Sequence, residues 1–135
     1  MKRALTALAV AFAAAPFSMA WACGACDEDK IAATYDHAVI DRAASGHHQV
    51  VFVAVDGPVD AAKIGRRVAA AASKVPGIVR GSLRTSLSPT AFSFALHAAR
   101  EAEVAVAGFR KAIGEPSARL TLVRIMRDGA LVEPK

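Results

Sequence analysis

Cysteine is scarce in this chain: there are two in 135 residues, Cys23 and Cys26. Two thiols with only two residues between them close a loop too small to staple a domain, which excludes a disulfide-framework fold. Aromatic residues make up only 6% of the chain, with one Trp and one Tyr, and no basic run is interleaved with them. That pattern leaves no footprint for nucleic-acid binding. Long apolar runs are also missing, apart from Leu5 to Phe17, which is too short to span a bilayer comfortably as a permanent helix. No linker, low-complexity tract or block of like charge divides the rest. No nucleophile–base–acid set, paired-carboxylate site or glycine-rich phosphate loop stands out, so an enzyme is not expected. Asp56-Gly57 with Asp60 reads as a turn and a helix cap, and Arg66, Arg67, Arg80 and Arg84 read as solvated charge.

The first residues have the grammar of an export signal. Lys2 and Arg3 precede the alanine-rich apolar run, and Ser18-Met19-Ala20 or Ala20-Trp21-Ala22 offers small residues for cleavage. Residues 1–22 are therefore expected to be a signal peptide, and the protein to be periplasmic or secreted. A retained membrane anchor is the competing reading. So is a lipid on Cys23, although bulky Trp21 occupies a position where lipoprotein signals carry small residues. Loss of Lys2 and Arg3 lowers the formal net charge from +5 to +3, too small and scattered for a polyanion partner. About 113 residues remain, enough for one domain with a single respectable core.

Asp27-Glu28-Asp29 opens a stretch predicted to be helical to about Ala44, with three acids complementing the positive end of the helix dipole. Ile31, Tyr35, Ala38 and Val39 give it an apolar face, and Ser45-Gly46 stops it. Val50 to Val55 is a continuous β-branched and aromatic run, expected to be a strand buried on both faces. Asp60 should cap a helix to about Lys74, with Ile64, Val68 and Val75 along one side. Ile78 to Leu87 reads as a strand. Ala91 to His97 alternates as a half-buried strand, Phe92, Phe94 and Leu96 inward against Ser93, Ala95 and His97. A helix is predicted from about Ala98 to Ile113, with Ala102, Val106, Phe109 and Ile113 as its inner stripe, and Gly114 and Pro116 ending it. Leu120 to Met126 is a last strand, followed by the turn Asp128-Gly129 and a short tail.

The order from Val50 is β-α-β-β-α-β behind a leading helix, which predicts an α+β, ferredoxin-like sandwich. Residues 23–46 form the Cys-x-x-Cys segment and leading helix, and residues 47–135 the sandwich. The stretch Val51-Phe52-Val53-Ala54-Val55-Asp56-Gly57, a helix, and then Val75-Pro76-Gly77-Ile78-Val79 resembles the heavy-metal-associated domain family of copper chaperones and metal-pump modules. The resemblance covers most of Val50–Met126 and implies metal handling. It departs at the family's metal loop after the first strand. Here that loop is Gly57-Pro58-Val59-Asp60-Ala61-Ala62 and carries no thiol.

The sequence keeps its thiols upstream instead. A leading helix of about 18 residues would be roughly 27 Å long. Folded back on the first strand through a short Ser45-Gly46 connection, it would return Cys23 and Cys26 to the end of the domain where that loop lies. Two thiolates at this spacing suit a soft ion such as Cu(I), or half of a tetrahedral Zn²⁺ site. A helix N-terminus lowers a thiol pKa, and the three following acids oppose that while attracting a cation. The same pair could serve a periplasmic thiol–disulfide partner protein, or form an inert disulfide on a non-catalytic interaction module. His47, His48 and His97 form a second candidate set for Zn²⁺ or Cu²⁺, expected to converge at the opposite sheet end, against the plainer reading of solvated histidines at strand ends. His37 is about 16 Å along a straight helix from Cys26, too far to share its ion. Met126 and the core phenylalanines read as packing residues. The expected partners are a metal ion and a metal-handling protein, with no nucleic acid and no permanent membrane span.

Overall fold

The structure, a computed structural model, describes residues 26–134. Helices α1 (Asp27–Thr34) and α2 (His37–Ser45) lead into strand β1 (Gln49–Asp56), helix α3 (Ala61–Ala72), strands β2 (Arg84–Leu87) and β3 (Thr90–Leu96), helix α4 (Ala102–Ile113), and strands β4 (Arg119–Arg127) and β5 (Ala130–Val132). The five strands form one sheet in the order β2-β3-β1-β4-β5, every neighbouring pair antiparallel. This is the ferredoxin-like α+β sandwich, extended by one edge strand and by a helical layer on the second sheet face.

Strand β1 lies at the centre because its apolar run can be buried from both sides. Val51, Val53 and Val55 face α3 and α4 in a core with Phe92, Phe94, Leu96, Phe109 and Ile113. Val50, Phe52 and Ala54 face the other way, packing with Val39, Ile40, Ala43, Ala95, Val123 and Met126 beneath the leading helices. Both faces of β3 are therefore buried, not one. Strand β4 serves both cores through an irregularity opposite Phe52/Val53, where Arg124 and Leu122 pair with consecutive β1 residues and Val123 is extra. The bulge reverses the side-chain alternation, so Leu120 faces one core on an even position and Ile125 on an odd one.

The leading helix is two helices. Tyr35 (ψ 127°) and Asp36 (ψ 111°) are extended, and the Asp36 carboxylate restarts the helix by accepting from the Ala38 and Val39 backbone N–H groups at 2.8 and 3.2 Å. Tyr35 and Ala38, expected on the inner face, are consequently exposed, while Thr34, Val39, Ile40 and Ala43 are buried. The strand predicted from Ile78 keeps only Arg84–Leu87 and a single bridge from Ile78 to Leu96. The chain leaves the ladder through Gly81 at φ +77°, and Ser82 fills the gap, its Oγ accepting from the Ala95 N–H at 2.9 Å and donating to the Val79 carbonyl at 2.6 Å. Helix α4 starts later than predicted because Arg100 N–H turns back to the His97 carbonyl at 2.9 Å. The expected tail instead adds β5 through Asp128-Gly129. The Asp60 cap, the Ile64/Val68 stripe and the Gly114 stop, at φ +60°, stand as predicted.

Candidate functional site

The leading helices run along the sheet antiparallel to β1, as the lengths suggested. Lys30, one turn into α1, pairs with Asp56 at the end of β1, Nζ to Oδ1 3.3 Å. At mid-sheet the Ser93 Oγ donates to the Thr34 carbonyl at 2.9 Å, and Arg84 Nε pairs with the Asp36 carboxylate at 2.6 Å. At the far end α2 closes on Gly46, and His48 N–H donates back to the Ala43 carbonyl at 2.8 Å before β1 begins. Small side chains at Ser93, Ala95 and Ala54 let the helices sit close.

Cys26 is the N-cap residue of α1, exposed, with a free thiol. One turn on, Lys30 ties the same helix to Asp56, at the rim where β1 runs into Gly57-Pro58. Asp29 acts on this thiol in two directions. Its backbone N–H favours the thiolate, but its carboxylate accepts from Sγ at 3.2 Å and repels negative charge there. With slight desolvation and Glu28 adding to the second effect, the net result raises the Cys26 pKa above the usual thiol value. The acids win over the helix terminus. Cys23, and the whole expected signal peptide, lie outside the described residues. Among the described residues no three His, Cys, Asp or Glu side chains come together as a metal site. No helix among them is long and apolar enough to cross a membrane.

At the opposite end the ladder ends with Gln49 facing Leu96, which leaves His48 and His97 as the next cross-strand pair. Their rings meet edge to face with centroids 4.5 Å apart. His47 does not join them. It sits in the left-handed region at φ +53° and lies, exposed, on a cavity of 360 Å³ shared with His48, Gln49, Ala98, Arg127 and Asp128. His37 packs instead on Tyr35, ring centroids 4.9 Å apart. The histidines thus sort into a pair and two separate residues.

Sequence reasoning missed the groups that brace these two ends. Gln49, almost fully buried, donates its amide to the Arg100 carbonyl at 2.6 Å and accepts from Arg127 Nε at 3.1 Å. It ties the start of β1 to the turn before α4 and to the end of β4. The signal was an amide at the first position of an otherwise apolar strand. Lys30 and Asp56 carry no local signal, because their pairing exists only once α1 is docked. Comparison with family models, curated proteins and solved structures yields no match to this chain.

Proposed function

We propose that the protein is an exported metal-binding or metal-trafficking accessory that holds a soft ion, Cu(I) or Zn²⁺, through Cys23 and Cys26. The supporting observation is the placement of Cys26. It is exposed at the N-terminus of a helix whose first turn carries Asp27, Glu28 and Asp29, and the Lys30–Asp56 pair tethers that helix to the end of β1. That sheet end is where the resembled heavy-metal-associated family carries its thiols. Three carboxylates beside a thiol attract a cation and stabilise it once bound. They act against disulfide-exchange catalysis, which works through a thiol whose pKa is lowered. A bound cation offsets the penalty that these carboxylates place on the Cys26 thiolate, and disulfide exchange has no such compensation.

The test is a titration of the reduced, exported protein with Cu(I) against a chromophoric chelator. One equivalent should bind, and the Cys23→Ser/Cys26→Ser variant should lose it. Equal binding by both proteins rejects the reading. So does a dithiol potential in the oxidoreductase range without stoichiometric metal binding.

A further inference from the structure

We propose that His48 and His97 form a second metal site, separate from the dithiol, for a divalent ion that accepts square-planar nitrogen coordination, Cu(II) foremost. The sheet itself builds the pair. Gln49 and Leu96 are register partners, so the residue before one strand and the residue after the other stand opposite each other. Both backbones are fixed, His48 N–H on the Ala43 carbonyl of α2 at 2.8 Å and His97 N–H on the Gly77 carbonyl at 2.9 Å. The His48 ring packs over Gly46, where a Cβ would come within 2.8 Å of Cδ2 and Nε2. Glycine at 46 is what gives that imidazole its place. His97 is exposed and His48 half-buried, so an ion can reach them from solvent.

The rings stand edge to face with centroids 4.5 Å apart, so side-chain rotation must turn one nitrogen of each onto a shared ion while the cross-strand backbone stays in place. Two imidazole ligands completed by water suit Cu(II) and Ni(II), and Cu(II) binds such ligands most strongly among first-row divalent ions. With no third His, Cys, Asp or Glu converging among the described residues, water would fill the remaining positions. The charged side chains on the adjoining cavity are Arg127 and Asp128, of opposite sign, and the Arg127 guanidinium is directed to Gln49 Oε1 at 3.1 Å.

The site does not depend on the dithiol, so it is tested in the full chain carrying Cys23→Ser and Cys26→Ser. Cu(II) is titrated in, read by electron paramagnetic resonance and by competition with a chelator. One equivalent should bind with hyperfine coupling from two imidazole nitrogens. His48→Ala or His97→Ala should each weaken binding by at least about tenfold, since even partners of a metal ligand matter that much. His47→Ala and His37→Ala should leave it unchanged, and far-UV circular dichroism should match for all variants. Signals from one nitrogen only, insensitivity to His48→Ala and His97→Ala, or equal sensitivity to His47→Ala would overturn the assignment.

Discussion

At Ser93 a single hydroxyl joins the two halves of the molecule. The residue lies in the middle of β3, is 1% exposed, and spends its proton on the carbonyl of Thr34, the last residue of α1. A helix that stops there leaves carbonyls without intrahelical partners, and burial against the sheet denies them water. Ser93→Ala removes the donor but leaves the acceptor buried. The expected cost is about 1–3 kcal/mol, the penalty for an unsatisfied buried polar group. Urea unfolding should show a lower midpoint at unchanged slope, because the area exposed on unfolding is the same. An unaltered midpoint would mean that Thr34 finds another donor. In the sequence, Ser93 and Ala95 were legible as small outward residues. Their burial was not, because what covers them comes from a segment nearly sixty residues earlier.

The element that deviates most from its sequence pattern is the leading helix, and Asp36 explains why. Ile31, Tyr35, Ala38 and Val39 keep a helical spacing across the break, so periodicity alone carries the helix through. Asp36 stops it because its carboxylate gains two backbone donors and Arg84 at once. These partners, Arg84 first and then the Val39 and Ala38 N–H groups, hold the Asp36 pKa below the usual carboxylate value. A carboxylate depressed in the folded state contributes stability above its unfolded pKa of about 3.9 and loses it as pH falls through the folded value. Asp36→Asn, which can still cap, should therefore lower the thermal midpoint at pH 7. The gap to the parent protein should close as the pH is taken below the carboxylate range. A gap that persists undiminished in acid would assign the effect to capping alone. The strands show the same division between local and distant causes. The continuous run of β1 announced a doubly buried strand. The bulge in β4 and the Ser82 plug before β2 follow from pairing with particular neighbours, and no period of two reveals them.

On the scale of the whole molecule there are two candidate metal sites, and the α1 tether at Asp56 and the histidine pair stand at opposite ends of β1, which is about 23 Å long at 3.3 Å per residue. They differ in how the chain makes them. Cys23 and Cys26 are neighbours in sequence, so an unfolded chain can offer the same two thiols to an ion. His48 and His97 are 49 residues apart and meet only when β1 pairs with β3. A ligand stabilises a fold only to the extent that it prefers the folded state. Cu(I) on the dithiol should accordingly leave the thermal midpoint of the reduced protein nearly where it was, despite tight binding. Cu(II) on the histidine pair of the Cys23→Ser/Cys26→Ser protein should raise it, by about 2.7 kcal/mol of stability when free ion stands at a hundred times its dissociation constant. For a domain of this size that is a shift of roughly ten degrees. Differential scanning calorimetry at several metal concentrations separates the cases. A strong upward shift with Cu(I) would mean that the folded protein supplies the dithiol with something the unfolded chain lacks. The groups beside Cys26 able to do so are Asp29, already hydrogen-bonded to it, and Glu28.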